Sequence, residues 1–333
     1  MEYAMISGTK MNVSRIALGT WAIGGWMWGG SDEAESIRTI HTALDQGINL
    51  IDTAPVYGFG VSEETVGKAI EQRGHREDVF IATKVGLEWR NGSITRNSSP
   101  ERIRQEIQCS LRRLRTSYVD IYQVHWPDPA VPIEETARTM RALYNEGLIR
   151  AIGVSNYSPE QMDRFMSASE LHTVQPPYNL FERQIDRDVL PYVRDNGLSA
   201  FAYGPLCRGL LTGKMRPDTK FAGDDLRNSD PKFRPPRYAQ YLKAVEQLDQ
   251  LAQKKYGKRV MDLAVRWVLD QPGITTALWG ARHPAQLEAV NGALNWKLDA
   301  EALAAIDQIL RQTVADPVGP EFMAPPAKPS VAA

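Results

Sequence analysis

The sequence predicts a single (β/α)₈ barrel of the TIM type, and three observations carry that prediction. Short apolar runs ending in polar tips alternate with segments of helical periodicity along the 333 residues. Eight such runs are present, each followed by a helical pattern. Composition does not divide the chain: 43% hydrophobic and 24% charged residues are ordinary values, so one large core accounts for residues 1–333 without a boundary.

The first run is RIALGT, from Arg15, and the loop behind it, GTWAIGGWMWGG, lacks the spacing, acidic residue and following helix of a dinucleotide-binding glycine fingerprint. A helix is expected over 32–46, with Ile37, Ile40, Ala43 and Leu44 on one face, Ser31 as N-cap and Gly47 as stop. The second run, INLIDTAPVYG at 48–58, is apolar through Ile48, Leu50 and Ile51, then breaks at Asp52 and carries Tyr57 on its loop. Helix 62–72 leads to VFIATKVG at 79–86, helix 99–114 to YVDIYQVHW at 118–126, and helix 133–146 to IRAIGVSNY. Helix 158–167 precedes TVQPPYNL, and helix 182–195 precedes LSAFAYGPL at 198–206. Helical patterns at 238–256 and 260–269 lead to the eighth run, TTALWGAR at 275–282, which a helix over 284–290 follows.

Three segments lie outside that alternation. The stretch 207–237 is too long for an ordinary turn and is either a functional lid or a disordered excursion. An amphipathic helix at 299–312 packs outside the barrel. The proline- and alanine-rich tail, 314–333, is expected to be disordered over its last eight residues, with Phe322 and Met323 able to dock.

A net charge of -1 leaves no global field for nucleic acid or an anionic membrane. Two cysteines, Cys109 and Cys207, give neither a disulfide framework nor paired metal ligands, and the five scattered histidines contain no i, i+4 pair, so no metal is expected. The start lacks the apolar segment of a signal peptide, and nowhere do eighteen apolar residues run together. The expectation is a cytoplasmic protein with a small-molecule partner; its oligomeric state is open, and a monomer suffices.

In such a barrel the strand ends share one face, which collects Asp52 and Tyr57 after the second strand, Lys84 at the end of the third and His125 at the end of the fourth. Each alone has a plain packing role: a backbone-satisfied aspartate, a core histidine, a lysine reaching for water. Together they suit carbonyl reduction, in which charge grows on an oxygen that needs a proton. Tyr57 is the candidate acid, and a Lys84 ammonium would ease release of a proton from a hydroxyl whose ordinary pKa is about 10. Asp52 would keep Lys84 charged and placed, while His125 directs the carbonyl oxygen. No side chain delivers hydride, so a nicotinamide is required. Ser155, Asn156 and Gln175 offer hydrogen bonds to its carboxamide, and Tyr203 offers a ring for stacking. Trp21, delivered to the mouth by the end of strand one, is either a wall of the reaction chamber or a packed core indole.

The stretches LIDTAPVYG, IATKVG, VDIYQVHWPD, IRAIGVSNY, VQPPYNL and AYGPLCRGLLTGK, in this order and spacing, resemble the aldo-keto reductases over nearly the whole chain. The resemblance implies a barrel that binds NADP(H) extended, with Asp52, Tyr57, Lys84 and His125 as a catalytic tetrad. It places Ser155, Asn156 and Gln175 on the carboxamide, Tyr203 under the nicotinamide, and Thr20, Trp21, Gly204 and Gly280 along the cofactor. Leu206, Arg208, Gly209 and Lys214 fall in a clamp loop, within 207–237, that closes over the pyrophosphate. WGARHPAQLEAV at 279–290 matches the adenosine-end segment and brings Arg282 and Gln286 to the 2′-phosphate. The family's usual Glu-Asn pair at the adenine falls on Ala289 and Val290, one residue before Asn291. Trp21, Trp26, Trp28, Trp126 and Met323 are the implied substrate contacts. The MWGG turn and GLLTGK loop look like the bacterial general-stress and inositol-utilisation branch, which implies NADPH-dependent interconversion of small hydroxyaldehydes or ketones and polyols such as glycerol. Two rival readings use the same residues: a Schiff-base lyase with Lys84 as nucleophile, and a nucleotide-sensing barrel without turnover.

Overall fold

A computed structural model describes residues 1–90 and 92–327. Two short strands, β1 (Tyr3–Met5) and β2 (Asn12–Ser14), precede the barrel as an antiparallel hairpin that sequence patterning missed. Its residues Ile6, Met11 and Val13 are buried against Ala17, Leu50, Ala82, Ile121, Ala151, Phe201 and Leu278. These side chains fill the inside of the barrel, so the hairpin stoppers the end opposite the carboxyl ends of the strands.

In chain order the elements are β3 (Ile16–Gly19), α1 (Glu33–Asp45), β4 (Leu50–Asp52), α2 (Val61–Arg73) and β5 (Phe80–Val85). There follow β6 (Leu87–Arg90), β7 (Ser93–Arg96), α3 (Pro100–Leu114), β8 (Ile121–Val124), α4 (Ile133–Asn145), β9 (Ile152–Ser155) and α5 (Pro159–Met166). The remainder are β10 (Thr173–Gln175), α6 (Val189–Asp195), β11 (Ser199–Ala202), α7 (Arg237–Tyr256), α8 (Val260–Asp270), β12 (Ile274–Gly280) and α9 (Ala300–Thr313). Strands β3, β4, β5, β8, β9, β10, β11 and β12 close a parallel barrel. Because strand side chains alternate, Ile16, Leu18, Ile51, Ile81, Tyr122, Val124 and Val154 face outward into the main core beneath the helices. Leu50, Ala82 and Ile121 face inward, and two residues farther along the same strands Asp52, Lys84 and Gln123 must do so too.

Several expected elements are corrected. Asp32, not Ser31, caps α1: its backbone is extended and its carboxylate accepts from Glu35 N at 2.7 Å, which also places negative charge at the positive helix end. The helix expected over 182–195 begins only at Val189, after a 3₁₀ turn at Gln184–Asp186. Polar tertiary contacts win there, since Glu182 pairs with Arg208 and Asp186 with Arg183 and the Tyr178 hydroxyl. The helix over 284–290 is replaced by 3₁₀ turns at Pro284–Gln286 and Val290–Ala293, because the Gln286 side chain folds back to accept from Arg282 N and His283 N. The connection between β5 and α3, for which the sequence patterning gave no element, carries the β6–β7 hairpin.

The stretch 207–237 is ordered, which excludes the disordered excursion. It holds 3₁₀ turns at Cys207–Thr212, Leu226–Asn228 and Pro231–Phe233. It is tied to the loop after β3, where Leu226 N donates to Met27 O at 3.0 Å and Met27 N to Asp224 Oδ2 at 2.7 Å. The tail is ordered farther than expected: Arg96 Nε donates to Pro325 O at 2.8 Å and Arg96 N to Pro326 O at 3.1 Å. Of the eight residues expected to be disordered, Pro326 and Ala327 thus lie against β7, and 328–333 fall outside the described residues.

Candidate active site

Asp52, Lys84 and Gln123 form a polar layer directly above the apolar filling of the barrel. Lys84 Nζ is fully buried and donates to Asp52 Oδ2 at 2.6 Å, to Thr53 O at 3.0 Å and to the Tyr57 hydroxyl at 3.2 Å. An ammonium has three protons, and all three have oxygen acceptors. The Tyr57 ring stands edge-on to His125, with centroids 5.9 Å apart, and stacks on Trp21 at 5.8 Å. The four residues expected to converge from β4, its loop, β5 and β8 therefore do so.

Their protonation follows from burial. Burial, reinforced by the Asp52 carboxylate, pushes the Tyr57 hydroxyl well above its ordinary pKa, so Tyr57 holds its proton at neutral pH. Burial also lowers Lys84, with Asp52 opposing that shift by charge and hydrogen bond. His125 is held well below 6.5 by burial and then by the Lys84 charge, which leaves a neutral imidazole. The set thus contains one protonated hydroxyl, one neutral imidazole and one buried ion pair.

A second network borders the first. Ser155 Oγ donates to Gln175 O at 2.8 Å, and Asn156 Nδ2 donates to Ser155 Oγ and to His125 O, both at 3.0 Å. Asn156 has φ +62°, a left-handed conformation that asparagine tolerates better than most residues, and its Oδ1 accepts from the Tyr203 hydroxyl at 2.9 Å. Gln175 Nε2 donates to Asp52 Oδ1 at 2.8 Å. Ser155, Asn156, Gln175 and Tyr203 are thus brought together beside the first four.

The other anticipated residues are placed more variously. Thr20 lies beneath the site with its hydroxyl on Asp52 O at 2.9 Å, and Ser62 braces it from α2 at 2.7 Å. Trp21 and Trp28 meet edge to face at 5.6 Å, and the indole nitrogens of both are buried without a partner among the described residues. Trp26 and Trp126 join Tyr57 around Ala54, Val56 and Leu87. Met323 sits half-buried in a 3₁₀ turn of the tail, next to Phe322, whose ring lies under the Arg208 guanidinium. Arg208 is buried and paired with Glu182 and Asp230, which also face the buried Lys232. Leu206 and Gly209 flank it, whereas Lys214 is exposed. Arg282 Nη1 donates to Trp28 O and to Gly30 O, fastening the tryptophan loop to the end of β12. A β-carbon at Gly204 or at Gly280 would meet nothing within 4 Å, so the backbone there borders open space. Ala289 and Val290 are buried in the main core, whereas Asn291 is exposed.

Sequence reading missed Gln123, the Thr53 carbonyl, and the Glu182 and Asp230 partners that Arg208 shares with Lys232. Gln123 carried a usable signal, being a polar residue two positions before His125 in that run and in phase with it. The cluster carried none, since its members come from three separate segments.

Residues 15–311 match the model of the Aldo/keto reductase family. The chain is 60% identical to the aldo-keto reductase YhdN of Bacillus subtilis over 331 residues, spanning 99% of this chain and 100% of that one. It is 38% identical to an NADH-specific methylglyoxal reductase of Escherichia coli over 318 residues, spanning 91% and 96% of the two. Among solved structures, a glycerol dehydrogenase from Gluconobacter oxydans matches at 53% identity with TM-score 0.88, over 97% of this chain and 99% of that one. The holo form of an aldo-keto reductase from Bacillus halodurans matches at 27% identity and TM-score 0.80, again over 97% and 99%.

Proposed function

We propose that this chain, which belongs to the aldo/keto reductase family, uses NADP(H) to reduce small hydroxyaldehydes or ketones and, in reverse, oxidises small polyols such as glycerol. Its relatives are oxidoreductases, and aldo/keto reductases use nicotinamide cofactors. The observation that carries the reading is the position of Lys84 Nζ, within hydrogen-bond reach of both Asp52 and the Tyr57 hydroxyl. No metal-holding group of three or more His, Cys, Asp or Glu occurs among the described residues, and no described helix is long and apolar enough to cross a membrane.

The residues present fit a nicotinamide nucleotide. Gly204 and Gly280 leave room for one, Tyr203 offers a ring, and Ser155, Asn156 and Gln175 cluster as carboxamide partners beside the tetrad. Bound there, the cofactor supplies the hydride. Tyr57 gives its proton to the carbonyl oxygen, and Lys84 steadies the negative charge left behind. Neutral His125 donates a hydrogen bond to the same oxygen without competing as the acid. Trp21, stacked on Tyr57, walls the chamber and excludes water. In reverse, Tyr57 accepts the alcohol's proton. Arg282 would meet a 2′-phosphate, and its Nε and Nη2 have no hydrogen bond among the described residues. One relative is NADH-specific by name, so cofactor choice is part of the test.

The assay is initial-rate oxidation of NADPH and NADH with glyceraldehyde or methylglyoxal, and reduction of NADP⁺ with glycerol. Turnover that is lost in Tyr57→Phe supports the reading. A wild type inactive on all small carbonyls removes it and leaves the sensing barrel. Borohydride trapping of substrate on Lys84 would favour the lyase; against it, the three oxygen acceptors, the Asp52 carboxylate among them, favour the protonated ammonium, which has no lone pair for attack.

A further inference from the structure

Asp52 divides its oxygens. Oδ2 faces Lys84, while Oδ1 accepts from Gln175 Nε2 at 2.8 Å and from Gln123 Nε2 at 3.3 Å. Gln175 Nε2 also lies 3.4 Å from Gln123 Oε1, so the two amides and the carboxylate form one closed patch. All three side chains are buried. Room for Gln123 is made by the neighbouring strand, where its register partner is Gly153. A β-carbon at Gly153 would stand 2.7 Å from Gln123 Cγ and 2.3 Å from Thr173 Oγ1, distances that real β-carbons do not show. Gly153 is absent from the positive-φ residues, so here glycine serves space, not backbone conformation.

The terminal torsion of an aspartate is broad, so packing alone leaves the carboxylate free to turn about its last bond. What fixes its plane is hydrogen bonding at both oxygens. With Oδ1 held by two neutral amides, Oδ2 stays directed at Lys84, which in turn keeps its remaining proton on Tyr57. We propose that Gln123 is a positioning residue for the reaction: it locks the Asp52 carboxylate plane, together with Gln175, and through Asp52 sets the Lys84–Tyr57 contact. This rests on the carbonyl-reduction reading for its kinetic consequence but not for its geometry. The alternative is that Gln123 only fills the barrel, a role that methionine of similar length performs as well.

The test compares wild type with Gln123→Met and Gln123→Glu. Methionine keeps the volume and removes the donor. Its kcat with NADPH and glyceraldehyde should fall about tenfold, since small misplacements at a reacting centre have effects of that order or larger, with KM and the NADPH Kd by fluorescence titration within about twofold. Glutamate restores a donor only while protonated and repels Asp52 when ionised. Its kcat should therefore climb toward wild type as pH falls, a recovery that Gln123→Met lacks. A filler role predicts instead wild-type kcat, Tm and pH profile in Gln123→Met, and that result overturns the proposal, as does a Gln123→Glu kcat that does not recover as pH falls. The crystal structure of Gln123→Met reads the geometry without any activity: Lys84 and Tyr57 should separate, and an unmoved Asp52–Lys84–Tyr57 arrangement overturns the proposal. An inactive wild type would remove only the reaction reading, and the crystallographic comparison would still decide the role of Gln123.

Discussion

Tyr57→Phe isolates one proton. The hydroxyl removed makes a 3.2 Å hydrogen bond with Lys84 Nζ, while the ring keeps its stacking on Trp21 and its edge contact with His125. Lys84 retains Asp52 Oδ2 at 2.6 Å and Thr53 O at 3.0 Å, so its charge stays paired. The stability change is then the loss of one long hydrogen bond, which leaves one proton of the buried ammonium without that acceptor, or about 1–3 kcal/mol. For 333 residues, whose unfolding entropy sums to roughly 0.7 kcal/mol per kelvin, that moves Tm by only about 1–4 °C. The rate tells a different story. A positioned general acid contributes about a hundredfold or more, equivalent to about 2.7 kcal/mol of barrier. Initial rates of NADPH oxidation, fluorescence titration of NADPH and thermal melts on the same two proteins separate the three quantities. Retention of more than about a tenth of the wild-type rate would contradict the acid role. A fall in NADPH affinity matching the fall in rate would show that Tyr57 serves binding instead.

Other outcomes follow from the same geometry. Arg282→Ala should weaken NADPH much more than NADH, and equal loss would mean that its bonds to Trp28 O and Gly30 O, which brace the tryptophan loop, are its whole role. Trp21→Ala should alter both kcat and KM for a three-carbon aldehyde with little loss of folding, whereas a stability cost of about 3–5 kcal/mol would return that indole to the core. Lys84→Met should destabilise by about 3–5 kcal/mol in urea melts, because it leaves the Asp52 carboxylate buried beside neutral donors only; a cost below about 1 kcal/mol would refute the ion pair. Hydrogen exchange over 207–237 should slow when NADPH binds if the stretch clamps the cofactor, and unchanged protection would make it a static cover. His125 and His172 are both held below 6.5, chiefly by burial, so the unfolded chain binds more protons than the native one as pH drops past that value. Stability should be complete above about pH 6.5 and fall below it, by up to about 1.4 kcal/mol per pH unit for each histidine. Urea midpoints that do not move between about pH 8 and about pH 5.5 would show that neither is buried neutral.

The alternation of apolar runs and helical periods determined the barrel because both periods are local properties of the backbone. The tetrad was legible for a related reason. In a parallel barrel every strand delivers its carboxyl end to one face, so Asp52, Lys84 and His125 could be grouped without any distance being known. Tyr57 needed only a short loop. Tertiary structure decided what depends on contacts between segments far apart in sequence. Arg208, read as a residue of the pyrophosphate clamp loop, is buried against Glu182 and Asp230, which also hold Lys232, because charges taken out of water must be paired with opposite ones. The helix expected at 182–195 lost its first turns to those same pairings and to Tyr178 and Arg183. The N-terminal hairpin and the docking of the tail on Arg96 were invisible for another reason: three-residue strands carry too few side chains to show a period, and their stability comes from what they cover. Gln123 lies between the two cases. Its inward direction could be read from its phase with His125, but its purpose depends on a glycine thirty positions later and on a carboxylate seventy-one positions earlier, and only the closed barrel brings them together.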